Sequence, residues 1–439
     1  MSTTLPHRIK ALLTKLNRIH STSERTPHYL KAHINVLHNN IAYLLNELLK
    51  SPPPSPRESI KIENVLINLD RHLNIIEIAC DFSKTTNKAF LFFTFKSIKD
   101  IYRHINILFH KNKTEIELKT LIFLHPYEEF CERYLRLEES VLEPIRSSLS
   151  MIPSTYLDTH IIYIPRTTPN KPSEWPPLIH EIGHTIFQGK SSPILEELLE
   201  NTLHKITDEA TKKSLLSYIE ETICDLIASA YLGPAYTLKL LEEYKAITAW
   251  GREHPPIYIR CEIMKDIYQE ITQSKNTEAL SDLWNICQNT LQKSLNEIRK
   301  IIPENKEKRY FEDIFKEIIR QITEKKLKNI LINMTKELNN LIEAYIKEKE
   351  ETQNINLLTR LKEISQEQKT LNKTVDKLRP FLESTTLNIQ VIVALAPIII
   401  HTTNPPYRAT INELILDTIK RSIIKQVWLK IDQTSKKQD

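Results

Sequence analysis

Glycine is nearly absent: the chain has four in 439 residues, where average usage would give about thirty. A fold built from many tight hairpins needs residues at positive φ, so barrels and sandwiches are excluded in favour of helices. No GxGxxG or GxxxxGK loop occurs, which argues against the nucleotide folds that cradle phosphates on glycine-rich turns. Cysteine is also scarce. Cys80, Cys131, Cys224, Cys261 and Cys287 are odd in number, widely spaced and form no CxxC. Neither a disulfide framework nor a cysteine zinc site is expected, and a reducing compartment fits. Long apolar runs are missing. The most apolar stretch, Val391 to Ile400, is too short to cross a bilayer and contains Pro397. Met1 to His20 carries charge throughout and lacks the apolar core of a signal peptide. Charge of one sign is not in excess either: 60 basic against 55 acidic residues leave a formal net charge of +5. The basic N-terminal segment with Lys10, Lys15 and Arg18 has no aromatic platform beside it, so no nucleic-acid partner is expected. These absences together predict a cytoplasmic protein without a membrane span.

Hydrophobic residues make up 41% and charged residues 26% of the chain. That is enough apolar material for real cores, spread over two or three packing units at this length. With 23 prolines as punctuation, a mainly α protein is expected. Leu30, Ile34, Leu37, Ile41, Leu44 and Leu48 step by alternating four and three, the stripe of an amphipathic helix. Thr26 and Pro27 supply its start, and the run Ser51 to Pro56 ends it. Helical patterns continue to about Ser150, interrupted near Ser83–Asn87 and Pro126, and residues 1–150 read as a helical scaffold. From Tyr156 the texture changes. His160-Ile-Ile-Tyr-Ile-Pro165 reads as one strand, closed by Pro165 and expected at a sheet edge. A helix is expected from Trp175-Pro-Pro177 to Phe187 with Gly189 as its stop, and a second long helix should end at Gly233-Pro234.

Residues 304–380 carry heptad seams. Phe311, Phe315, Ile318 and Ile322 form one; Leu327, Leu331, Met334, Leu338, Leu341 and Tyr345 form the next, after a step of five that breaks phase. The seam resumes at Leu357, Leu361, Ile364, Leu371, Val375 and Leu378. A long antiparallel helical hairpin is expected, able to pack on itself or to hold a protein partner. Thr410 to Glu413 has the pattern of a capping box opening a last helix. The expected division is therefore 1–150, a core at 151–303, the hairpin at 304–380 and a C-terminal helical segment at 381–439 packing on the core.

The chemistry is concentrated in His180-Glu181-Ile-Gly-His184. On a helix His180 and His184 lie one turn apart on one face, so both imidazoles can reach one ion. Glu181 is about 100° around the axis, within reach of a water at that ion but off the ligand face. A catalytic zinc needs a third protein ligand and an open position. The metzincin continuation is excluded, because Phe187 and Lys190 stand where its glycine and third histidine would be. The downstream run Tyr218-Ile-Glu-Glu-Thr-Ile-Cys-Asp225 offers Glu221 as ligand, with Glu220 as rival. Asp225, one turn on, can accept the outer ring N–H of a ligating histidine.

His180-Glu181-Ile-Gly-His184 followed by Glu221-Thr-Ile-Cys-Asp225 resembles the HExxH…ExxxD signature of the gluzincin zinc peptidases. His254-Pro-Pro-Ile-Tyr-Ile-Arg260 is similar to an HP-x4-R element of the prenyl-protein-processing endopeptidase family within that group. The resemblance spans about residues 160–260. It implies a zincin-like core with a small β-element and one Zn²⁺ held by His180, His184 and Glu221. It also implies Glu181 as general base, and His254 and Arg260 beside the developing oxyanion. That family carries transmembrane helices, which this sequence lacks. The function expected is a zinc-dependent metallopeptidase acting on peptide or protein substrates, the strand at 160–164 pairing with the substrate and Gly183 serving either to let the helix pack on that strand or simply to allow close helix packing. The alternative is a helical scaffold or interaction protein in which the motif is fortuitous or holds metal structurally.

Overall fold

The computed structural model describes residues 4–22, 28–50, 55–109, 121–128, 130–136, 158–187, 208–244, 249–251, 254–272, 277–302, 306–353, 388–402 and 405–435. These are mainly helical. The chain divides into two compact units, Met1–Thr86 with Thr114–Arg166, and Asn87–Lys113 with Thr167–Asp439.

In the first unit α1 (Thr4–Thr22), α2 (His28–Lys50) and α3 (Pro56–Thr85) share one apolar core. Ile9, Leu12, Leu16 and Ile19 on α1 step by three and four, and all are buried. Ile34, Ile41, Leu44 and Leu48 of the α2 stripe are buried with them. Lys15 and Arg18 face out of this core and pair with Asp70 and Glu77, each at 2.7 Å. Two of the three basic groups singled out on α1 are thus neutralised by α3.

The same unit holds a three-stranded sheet of β1 (Leu121–Tyr127), β2 (Cys131–Arg136) and β3 (Asp158–Pro165), in the order β1-β3-β2. β3 runs parallel to β1 and antiparallel to β2, with Ile161 opposite both Phe123 and Arg133. The expected edge strand is therefore the central one. Both of its hydrogen-bonding edges are taken, so it has no free ladder for a peptide. Two strands also lie where helical patterns were expected. The apolar run Leu121-Ile-Phe-Leu124 is too short for its periodicity to separate a buried strand from a helix turn.

In the second unit α4 (Lys88–Phe109) precedes two short 3-10 turns, Thr168–Asn170 and Pro172–Glu174. Trp175 follows them, fully buried against Phe90 and Phe93 of α4, its Nε1–H donating to Thr168 O at 2.9 Å. This anchor fixes the start of α5 (Pro177–Phe187), whose bounds agree with the sequence reading; Gly189 and the Thr26–Pro27 start lie outside the described residues. α6 (Glu209–Leu232) is capped by Asp208, which accepts from Thr211 N at 2.9 Å, and it stops as expected at Gly233, at φ 69°. Pro234 then opens α7 (Pro234–Tyr244). α8 (Ile257–Thr272) and α9 (Glu278–Ile301) follow.

α10 (Lys306–Ile322) and α11 (Lys328–Gln353) are joined by a π-helical turn, Thr323–Leu327. It falls on the five-residue step between Ile322 and Leu327, because a π turn accommodates one extra residue while keeping the apolar face in line. Leu331, Met334, Leu338 and Tyr345 are buried as the seam requires, whereas Phe311 is 37% exposed. The returning arm from Leu357 to Leu378 lies outside the described residues. α12 (Ile389–Thr402), the most apolar segment, is buried throughout residues 389–400 and packs on α6, α7 and α11. Among the described residues no helix is long and apolar enough to cross a membrane. α13 (Arg408–Ser435) begins before Thr410, so the expected capping box sits inside the helix. The Pro405–Tyr407 turn starts it instead.

Candidate metal centre

The HExxH residues lie on α5 and the downstream acids on α6, and these two helices pack directly on each other. Gly183 sets their approach. A Cβ at this position would stand 3.0 Å from Sγ and 3.2 Å from Cα of Cys224. Gly183 thus serves close helix packing, against α6, the second of the two roles expected for it. Leu178, Ile182 and Ile186 are buried on the core side of α5.

On the other side His180, His184 and Glu221 converge, their potential ligand atoms all within 4.8 Å of one another. His180 Nε2 lies 3.1 Å from His184 Nε2 and 3.2 Å from Glu221 Oε2, and His184 Nε2 lies 3.3 Å from Glu221 Oε1. A tetrahedral zinc with bonds of about 2.0–2.1 Å would separate its ligand atoms by about 3.3 Å. The group is therefore of the right size, and its donor set of two imidazoles and one carboxylate suits a metal ion.

The tautomers point the same way. Asp225 Oδ1 is 2.9 Å from His180 Nδ1, and Glu220 Oε1 is 2.9 Å from His184 Nδ1. Each carboxylate can accept an N–H from the outer nitrogen, and in the neutral imidazoles this leaves both Nε2 atoms as lone pairs facing each other. Two lone pairs at 3.1 Å repel unless a proton or a metal ion lies between them. Glu221 Oε2, buried, has no partner in hydrogen-bond geometry. Glu220 is thereby placed on the outer side of His184, and Glu221 on the ligand face.

Burial alone would lower the basicity of both histidines. For His180 the Asp225 and Glu221 carboxylates outweigh it, and for His184 Cys224 and Glu221 do, so both are raised, His184 strongly. Burial would raise Glu221, but His184, His180 and His254 hold it well below the usual carboxylate range. Around this centre Arg260 is buried, its Nε donating to Asp225 Oδ2 at 2.6 Å and one terminal N–H to Oδ1 at 2.7 Å. The same terminal nitrogen is 3.4 Å from Glu221 Oε2. His254 Nδ1 is 3.1 Å from Glu221 Oε2, and its side chain is 47% exposed, which marks the solvent side. Glu181 is buried next to His180 on α5.

Two groups were not legible in the sequence. Tyr236 on α7 reaches both His180 and Asp225; it lies beyond a turn, where no ligand spacing points to it. The second is an aromatic cluster of Tyr218, Trp250, Phe311 and Phe315, tied to the His254 segment by Tyr218 OH donating to Gly251 O at 2.5 Å.

No protein-family model, curated protein or solved structure matches this chain. The buried His180–His184–Glu221 group is compatible with an HExxH-type site that could hold a metal ion.

Proposed function

We propose that this protein is a zinc-dependent hydrolase, and most concretely a metallopeptidase. One observation carries the reading: two imidazole Nε2 atoms, each backed on its far nitrogen by a carboxylate, face each other and Glu221 in a buried cluster of charge. His180, His184 and Glu221 would hold the metal, three protein ligands being the number that leaves a position for chemistry. When bound, zinc supplies Lewis acidity and makes water a nucleophile near neutral pH. Glu181 takes a proton from the attacking water and passes it to the leaving amine, a role suited to a buried carboxylate off the ligand face. His254, half-exposed beside Glu221, is the donor placed to meet a carbonyl oxygen arriving from solvent. Arg260 is committed to Asp225 and so acts by holding the ligand shell.

A structural metal in a non-enzymatic scaffold is the second reading, favoured by the low exposure of His180, His184 and Glu221, between 6% and 8%. The two readings separate on Glu181. Metal analysis of the purified protein should find about one zinc per chain, lost in His184→Ala. Glu181→Gln should keep that zinc while cleavage of a peptide mixture falls about a thousandfold. Zinc-loaded protein that cleaves no peptide would leave the structural reading standing, and wild-type protein that takes up no zinc would overturn both.

A further inference from the structure

Tyr236 is absent from every motif in the sequence, yet its hydroxyl sits at the back of the ligand shell. It is 1% exposed and lies on the first turn of α7. Its placement depends on Gly233-Pro234. The backbone at Gly233 takes φ 69°, a conformation costly for any residue with a Cβ, and a Cβ there would also meet Leu280 Cδ1 at 3.0 Å. The chain therefore turns sharply from α6 into α7, and Tyr236 comes back over α5.

The hydrogen bonds there have one consistent arrangement. Asp225 is fully buried, and as an ionised carboxylate it can only accept. Tyr236 OH lies 2.5 Å from Asp225 Oδ1, so the hydroxyl proton goes to Asp225. The hydroxyl oxygen is then left with lone pairs, and it lies 3.1 Å from His180 Nδ1. Asp225 Oδ1 is itself 2.9 Å from the same nitrogen. The Nδ1–H of His180 is thus shared by two acceptors, and the Tyr236 ring lies near-parallel to the imidazole, at 12°. Two acceptors define a ring plane better than one. A hydroxyl that has already donated to Asp225 can offer Nδ1 nothing but a lone pair, which keeps the proton on Nδ1 and Nε2 open.

We propose that Tyr236 is a positioning residue for metal binding, its hydroxyl fixing the tautomer and plane of His180 jointly with Asp225. This rests on the metal-centre reading above. Partners of ligating histidines change metal affinity about 10- to 100-fold when removed. Tyr236→Phe deletes one acceptor, keeps the ring and leaves Asp225, so a loss near tenfold is expected.

The test uses the full chain and two probes, Zn²⁺ with a competing chelator and Co²⁺ for its visible ligand-field bands. In Tyr236→Phe zinc should dissociate about ten times more readily, and the cobalt bands should shift, while the unfolding midpoint of the metal-free protein stays within a few degrees of wild type. His184→Ala serves as the reference for loss of a ligand. Asp225→Asn and the double variant complete a cycle: if Tyr236 acts through the shared Nδ1–H, the two losses combine to less than their product. Equal zinc affinity and identical cobalt bands in wild type and Tyr236→Phe would overturn the proposal. So would weaker binding accompanied by an equal loss of metal-free stability, since that is a packing defect. Wild-type protein that binds neither ion would instead overturn the metal-centre reading itself.

Discussion

Arg260 and Glu262 stand two residues apart on α8 and anchor two different ion networks. Residues at this spacing point about 200° apart around a helix axis, and although both are buried they meet different partners. Arg260 turns inward to Asp225 and Glu221, both nearly inaccessible. Glu262, buried at 9% exposure, pairs with Arg299 and Lys316, the latter at 2.7 Å, and Arg299 is 56% exposed. The outer network has one buried carboxylate, Glu262, but its two cations reach solvent, Arg299 at 56% and Lys316 at 28% exposure, so either cation can be lost at small cost. The inner network has removed two carboxylates, two imidazoles and a guanidinium from water. Apolar residues of the same volume would hold a helical core as well or better. A cluster so costly to bury, with a carboxylate behind each outer imidazole nitrogen, is the group that could hold a metal ion.

The comparison breaks most visibly at Arg260. Arg260→Met leaves Asp225 and Glu221 buried without their counter-ion, and one-sided loss of a buried pair costs about 3–5 kcal/mol. Chemical denaturation of the metal-free protein should show a loss of this size with an unchanged m-value. A loss below about 1 kcal/mol would mean that water reaches Asp225, and the contrast between the two networks would fail.

Gly183→Ala is smaller and sharper. The added methyl meets Cys224 Sγ at 3.0 Å and backbone at 3.2 Å, so α5 and α6 must move apart by a few tenths of an ångström. Overpacking of this kind costs about 1–3 kcal/mol. Because the ligands are split between the two helices, zinc affinity should fall as well, while Gly251→Ala, on an exposed residue outside the helices, should leave both unchanged. Unaltered zinc affinity in Gly183→Ala would show that the helix spacing does not control the ligand triangle.

Much of the inner network was legible because helices convert spacing into direction. His180 and His184 at i, i+4, and Glu221 and Asp225 at i, i+4, put two pairs on two faces, and the structure joins them as that spacing implies. The step of five between Ile322 and Leu327 was legible as a break in phase, and the structure fills it with a π turn that the sequence reading did not specify. The misses lie where direction depends on a turn or on partners remote in sequence. Tyr236 sits on the far side of Gly233-Pro234, and no helical spacing carries across that break. β3 was recognised as a strand from its β-branched run, but its central position depends on β1 and β2, and strand order is a long-range fact that a local pattern does not hold. Pro165 suggested an edge, yet it stands at the strand's last residue, where a missing N–H costs the ladder little.

The smallest expected effect tests the outer half of the comparison. Arg299→Met removes one of two cations facing Glu262, and Lys316 remains at 2.7 Å. Glu262, although buried, is not stranded, because Lys316 stays in direct contact with it. The change in unfolding free energy should stay below about 1 kcal/mol and shrink further as salt is raised from about 0.05 to 0.5 M, since the Debye length falls below the charge separation of all but direct contacts. The same salt series should leave the Arg260→Met loss nearly unchanged, because counter-ions cannot enter a site where Asp225 has no exposed surface. Two variants on one helix, two residues apart, would then differ both in magnitude and in salt dependence. If Arg299→Met cost as much as Arg260→Met, or if both losses faded together in salt, the two networks would be of one kind, and the contrast between them would fail.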